Sequence, residues 1–363
     1  MPTRRPTRLP TRRARQLAGA AAGLLIGLGT APPAHAATVR VVHPGQSIQQ
    51  AVDGARPGDT ILVLPGTYHE SVLLTASDVT LRGAGRLTVL SPPADPAAGS
   101  ANACAQAGAG ICVTGSAGHR LTGDRIESLT VSGFAKNGIS ASETDRLTVR
   151  EVLAERNGSE GISQEKSTRG RFQGNVSRDN GQAGIFLANI AYGKGGAIDT
   201  EGAVISDNQL SGNRMGVVVR RVRDLTVERN AITGNCGGVF VVGDDDRPRT
   251  GALSVSHNRV DRNNKYCPPS DMLPAIQGAG IVLTGVESTL VAHNQVDDNT
   301  GSTPMSGGIV LFLSYNGGPS ADNTISRNVA TGNGPADLAD RDGGPGNAFT
   351  ENQCRVSQPA GRC

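Results

Sequence analysis

Gly216-Val217-Val218-Val219-Arg220, Leu225-Thr226-Val227, Asn230-Ala231-Ile232-Thr233-Gly234-Asn235 and then Gly238-Val239-Phe240-Val241 decide how this chain folds. Short β-branched runs bounded by Gly and Asn read as strands, and no 3.6-residue apolar stripe competes with them. The spacing predicts strands at 216–220, 225–227 and 231–233, with turns at 222–224, at Asn230 and at Asn235-Cys236-Gly237. Val239 restarts the pattern 22 residues after Val217, and Ile139, Ile162 and Ile185 stand 23 apart. Such a period marks one coil of a stacked repeat.

Six Asn pairs separated by five residues punctuate the chain: Asn175/Asn180, Asn208/Asn213, Asn230/Asn235, Asn258/Asn263, Asn294/Asn299 and Asn328/Asn333. Asn tolerates the left-handed turn conformation and bonds local backbone. Stacked at one position per coil, the amides of Asn175, Asn208, Asn230, Asn258, Asn294 and Asn328 are expected to form a structural ladder. Three strands and three turns per unit make an all-β, single-stranded parallel β-helix. A solenoid of about ten coils would be about 50 Å long.

A family resemblance accompanies the repeat. Gly45-Gln46-Ser47-Ile48-Gln49-Gln50-Ala51-Val52-Asp53, Pro57-Gly58-Asp59-Thr60-Ile61-Leu62-Val63 and Pro65-Gly66-Thr67-Tyr68-His69-Glu70 resemble the opening of secreted pectin-lyase-like right-handed β-helix proteins. The resemblance implies a right-handed coil plugged by a short N-terminal helix over residues 46–55. It leaves activity open, because that fold carries lyases, hydrolases, epimerases and non-catalytic binders.

Residues 1–36 read as a secretion signal. Six Arg lie between Arg4 and Arg15, Leu17 to Leu28 is apolar, and Ala34-His35-Ala36 offers a small-residue cleavage site. Residues 37–363 would then be one β-helix domain, extracellular and monomeric, with a surface loop over 92–109. No later run is long and apolar enough for a membrane span. The formal charge is +3, and loss of the six Arg turns it to −3. That balance argues against a nucleic-acid partner, which needs a basic face. Six Cys in an exported chain allow about 15 pairings. The pairs chosen are the sequence neighbours Cys104-Cys112 and Cys354-Cys363, and Cys236-Cys267 at one turn of consecutive coils.

Alternation places the residue after each anchor Gly inward. Ser142, Glu165, Ala188, Arg220, Val242 and Thr284 then point outward at the strand end, followed by Glu143, Lys166, Asn189 and Arg221. Glu143, Glu165, Asn189, Arg221 and Asp244 are the expected substrate-binding residues around Lys166 and Arg220. The stretch Ile162-Ser163-Gln164-Glu165-Lys166-Ser167-Thr168-Arg169-Gly170 resembles the Lys-Ser coil of β-helical alginate- and dermatan-cleaving lyases. That resemblance implies Lys166 as the base that removes the C5 proton, Arg220 as the assisting Arg, and Ca²⁺ as the ion on the uronate carboxylate. A proton beside a carboxylate is removable only when the developing charge is stabilised and the base lies within hydrogen-bond reach.

Other features point elsewhere more weakly. Asp244-Asp245-Asp246 has oxygen-rich spacing that suits Ca²⁺. His257 and His293 should stack in adjacent coils, yet two His lack the further ligands of a metal site. The motif sets of β-helical polygalacturonases and alginate epimerases are missing. Phe186, Val218, Phe240, Val282 and Val310 form an outward apolar column, expected to lie beneath the insertions at 190–203 and 264–277. The expected function is engagement of an extracellular, uronate-bearing polysaccharide, with β-elimination as its sharpest form. The opposing expectation is a non-catalytic cell-surface or envelope binding module.

Overall fold

The structure, a computed structural model, describes residues 36–93, 102–189, 194–270, 273–315 and 317–363. The expected secretion segment lies outside them but for Ala36. From Ala37 to Cys363 the chain winds through three parallel sheets of 12, 10 and 11 strands, and each turn of the winding adds one strand to each sheet. The third sheet holds the residues that concern function. Its inward column runs Ile111, Ile139, Ile162, Ile185, Val217, Val239, Ile281, Ile309 and Leu338, partner to partner. All nine are fully buried. Burial of such side chains contributes about 1.5–3 kcal/mol each, which is how a chain with 3% aromatic residues still builds a core.

The Asn pairs form two ladders flanking the short strands of the second sheet. In one, Nδ2 of Asn175, Asn208, Asn230, Asn258, Asn294 and Asn328 each donates to Oδ1 of the next, ending on Asn352, at 2.9–3.0 Å. In the other, Asn157 leads through Asn180, Asn213, Asn235, Asn263, Asn299 and Asn333 to Asp337. Each Asn Oδ1 after the first of its ladder also accepts the backbone N–H of the ladder residue one coil earlier, as Asn208 does from Asn175 at 2.9 Å, while Asn175 and Asn157 accept those of Val152 and Phe134. The left-handed residue at these turns is the one before the Asn: Asp207, Arg229, His257, His293 and Arg327 have φ of 51–58°. That corrects the expectation that the Asn themselves take this conformation. They keep ordinary φ and turn their amides inward, where buried backbone groups need partners.

Two further readings are revised. The turn expected at 222–224 is part of a continuous strand, Val222–Glu228. The insertion after residue 190 supplies strand Ile198–Ser206, whose Ile198 and Asp199 pair with Val222 and Arg223 and extend it. The plug at the first coil is helix Ile48–Asp53. Ser47 caps it, Glu70 accepts from the N–H groups of Ile48 and Gln49, and Ile48 and Val52 face the core. Within 92–109, residues Ala103–Gln106 form a helical turn that buries Cys104. Cys104-Cys112, Cys236-Cys267 and Cys354-Cys363 are all bonded. Among the described residues no helix is long and apolar enough to cross a membrane.

Insertions decide which part of the third sheet's outer face is open. Val218, Phe240, Val282 and Val310 form a second apolar cluster with Cys267, Ile276 and Met305, from the segments at 264–277 and 300–307. All four are at most 5% exposed, but Phe186, the fifth residue of the expected column, is only half-buried. Among the described residues the segment 194–203 adds nothing to this cover, which corrects the expectation that 190–203 would. At the other end Cys112 packs against Cys104 and Ala109. Between these covers the outward positions are Ser140, Ser163 and Phe186, of which Ser163 is buried and the other two are half-buried.

Candidate functional site

The strand-end row of the third sheet is Thr114, Ser142, Glu165, Ala188, Arg220, Val242, Thr284 and Phe312. Glu165 and Arg220 are therefore two coils apart, roughly 10 Å. Both are half-buried at the protein surface. The following row is a turn in which Glu143, Lys166 and Arg221 have φ of 50–54°. Its backbone is tied upward: Lys166 N donates to the Ala188 carbonyl at 2.9 Å, and Asn189 N donates to that of Arg220 at 3.2 Å. Lys166 is exposed, and its ammonium has no hydrogen bond or ion pair among the described residues. Ser167 is structural, since its Oγ accepts from Thr144 N (2.9 Å) and donates to the Glu165 carbonyl (2.6 Å).

The rest of the expected patch splits into struts and surface groups. Arg221 and Asp244 are both buried, and the guanidinium meets the carboxylate at 2.7 Å through Nε and 2.5 Å through Nη2. Asp244 Oδ1 also takes the N–H of Asp246, whose own carboxylate takes the N–H of Gly195. Asn189 Nδ2 donates to the Gly196 carbonyl at 2.7 Å. Arg221, Asp244 and Asn189 thus anchor the segments at 194–197 and 244–251 beside the row. Glu143, 3.7 Å from Arg120, remains at the surface with Glu165, Lys166 and Arg220.

Sequence reasoning missed a polar window beside this patch. Asn137 Nδ2 donates to Ser163 Oγ at 2.8 Å on the outer face, the Asn half-buried and the Ser buried beneath it. Glu160 shares a row with Asn137 and with Ala183, which belongs to the outer apolar cluster, so it looks onto the same face. Burial pushes the Glu160 carboxyl above its ordinary range, and the negative charge of Glu165 adds to that while Lys136 opposes it. Extending the alternation to residues before the anchor Gly would have found it. Gln164, expected inward, is indeed buried and donates to Thr144 Oγ1 at 2.9 Å, a polar pair in a row that otherwise carries Leu or Val in most coils and Ala141 in the one before. Phe312 continues the strand-end row by the same Gly-plus-four rule that gave Arg220.

Metal-binding features are sparse. Among the described residues no group of three or more His, Cys, Asp or Glu is arranged to hold a metal ion. His257 and His293 stack with ring centroids 5.1 Å apart. Asp244 and Asp246 already serve Arg221 and backbone N–H groups, so a cation bound by this protein would need other oxygens, such as those of an acidic ligand.

Known proteins agree with this architecture. A family model described as the right-handed β-helix region matches residues 69–193 and 197–358. No curated protein matches the chain. Among solved structures it is similar to the A-module of the Azotobacter vinelandii mannuronan C-5 epimerase AlgE6, at 17% identity over 85% of this chain and 89% of that one, TM-score 0.56. It is similar also to DFA-IIIase from Arthrobacter chlorophenolicus A6 in complex with GF2, at 16% identity over 84% and 81%, TM-score 0.57. A third is the periplasmic alginate epimerase AlgG, at 14% identity over 81% and 62%, TM-score 0.51. At these identities the likeness concerns the fold alone. Three parallel sheets, two asparagine ladders and the family match agree, and the chain belongs to the right-handed β-helix family.

Proposed function

We propose that the protein is secreted and engages an extracellular, uronate-bearing polysaccharide at the strand ends of its third sheet, where it acts by β-elimination. The observation that carries this reading is the restriction of access. Insertions cover the outer face at both ends, and the stretch between them, which no such cluster covers, carries the half-buried polar groups Asn137 and Glu160, with Glu165, Lys166 and Arg220 at its rim. In the reaction, Lys166 Nζ takes the C5 proton and Arg220 stabilises the charge that develops on the uronate carboxylate. The electron pair becomes the C4–C5 double bond, the C4–O bond breaks, and the leaving oxygen is protonated from solvent. The names of the similar epimerases, which speak of mannuronan C-5 and of alginate, support a substrate of this class. The paired cysteines and the Arg-rich, apolar opening support an extracellular site of action.

One observation favours binding without catalysis: Ala188 and a whole coil separate Lys166 from Arg220. The two readings part in an ultraviolet absorbance screen of the protein against alginate, pectate and glycosaminoglycans, with and without added Ca²⁺. Growth of an unsaturated-uronate signal on one polymer supports elimination. Binding of the polymer without any such signal supports the module.

A further inference from the structure

Beyond Arg220 the strand-end row continues through Val242 and Thr284 to Phe312, and there the surface changes character. Phe312 packs against Tyr315 in a tilted contact, with a ring-centroid distance of 5.6 Å and an interplanar angle of 54°. Tyr315 is 65% exposed and neighbouring Leu313 is 51% exposed. Exposed aromatic side chains are scarce here: among the described residues Tyr266 is the other large one, and it lies in the 264–277 segment away from this row.

The segment carrying Tyr315 bends back along the stack toward Arg220. Ser314 Oγ donates to the Gly243 carbonyl at 3.0 Å, and Arg249 Nη2 donates to that of Pro319 at 2.6 Å. A Cβ at Gly317 or Gly318 would stand 2.0–2.1 Å from the Asp245 carboxylate, so glycine lets this segment lie against the 244–251 loop. Gly243 occupies the row of Lys166 and Arg221, one coil above Arg221. Ser314 and Pro319 are thereby tied to the 243–251 segment, while the Tyr315 ring stays beside Phe312, whose strand is three coils, roughly 14 Å, from that of Arg220.

We propose that Tyr315, backed by Phe312, is a stacking platform for a sugar ring of the same polysaccharide chain, a distal subsite about three coils along the stack from the charged one. The inference rests on the reading of the Lys166–Arg220 patch as a polysaccharide site. An aromatic ring offers a flat apolar surface to the C–H face of a pyranose, while its hydroxyl stays at the wet edge to bond sugar oxygens. Charge at Glu165, Lys166 and Arg220 followed by an apolar wall suits a chain laid along the stack, because one pyranose is about as long as one coil is high (~4.8 Å). The platform supplies what a chain without Trp otherwise lacks.

Calorimetric titration with uronate oligosaccharides of graded length, from dimer to octamer, tests the proposal on wild type, Tyr315→Ala, Tyr315→Phe and, as a control, Tyr266→Ala. The expected result is about tenfold weaker binding of the long oligomers by Tyr315→Ala, with dimers unaffected and Tyr315→Phe and Tyr266→Ala close to wild type. Tyr315 is exposed, so unchanged thermal unfolding of the variant verifies its fold. Equal affinities of wild type and Tyr315→Ala at every length would overturn the platform and leave the Lys166–Arg220 reading standing. Equal weakening at every length would overturn the distal subsite. Wild type that binds no oligomer would bring down the polysaccharide reading itself, and the platform with it.

Discussion

Asp124→Asn should stabilise the protein, and by more as pH rises. Asp124 is 1% exposed, and its Oδ1 accepts the Val79 N–H at 3.0 Å as a ladder asparagine would. On the same turn row, Asn323 makes that bond to Thr289 while its Nδ2 donates to the Val286 carbonyl, three residues earlier. The other Asp124 oxygen stands where that amide donor would be, and it has no hydrogen-bond partner among the described residues. Burial, with help from the charge of Asp78 and against the Val79 N–H, pushes this carboxyl up from 3.8 to about 7. A raised carboxyl contributes stability that is fully present below the unfolded value of 3.8 and is lost as pH climbs through about 7. A shift of about three units corresponds to about 4 kcal/mol. Asn does not titrate and brings the missing donor. Urea unfolding at a series of pH values should show the gap between variant and wild type widening by about 4 kcal/mol from about pH 4 to about pH 8. A gap that stays constant over that interval would refute the reasoning, because it would mean that Asp124 ionises as readily folded as unfolded.

Other perturbations follow from the same structure. Asn235→Ala removes the acceptor of the buried Asn213 N–H and the donor to the Leu210 carbonyl, so thermal unfolding should register a loss of about 3 kcal/mol. Arg221→Met strands the buried Asp244 carboxylate and should cost about 3–5 kcal/mol in denaturant titration, most of it recovered when Asp244→Leu is added. Replacing Cys236 and Cys267 by Ala opens a crosslink spanning 31 residues. It should cost about 3–4 kcal/mol and raise binding of an apolar dye as Val218, Phe240 and Val282 lose their cover.

The coil is legible in the sequence because strand burial has period two and the anchor Gly sets its phase. That is why Glu165, Ala188 and Arg220 fall in one row as expected. Five-residue Asn spacing likewise announces ladders, since the strand between the two Asn is three residues long. The residue that takes φ above zero was not legible: it is Asp, Arg or His in different coils, so no one residue type marks it, and the Asn is needed inside for its amide. Nor was the burial of Arg221 with Asp244. Alternation puts both at the surface, but Arg221 sits in a left-handed turn and Asp244 arrives from an insertion whose path no periodicity encodes. Tyr315 was invisible for the same reason, since it lies in an insertion held by bonds from Ser314 and to Pro319 rather than by register. Glu160 lies before the anchor Gly, outside the strand the alternation was counted from.

Elimination at Lys166 is the claim on which the functional account stands. The most direct measurement is the initial rate of unsaturated-uronate formation, by ultraviolet absorbance, for wild type and Lys166→Ala on whichever uronate polymer the protein binds. Lys166 is exposed and its side chain unpartnered among the described residues, so the variant should fold as wild type does. The account predicts a measurable rate for wild type, and for the variant a loss of at least about a hundredfold, the usual contribution of a general base. A variant as fast as wild type would contradict the assignment of the base, and a wild type that binds the polymer without forming product would leave a binding module in place of an enzyme.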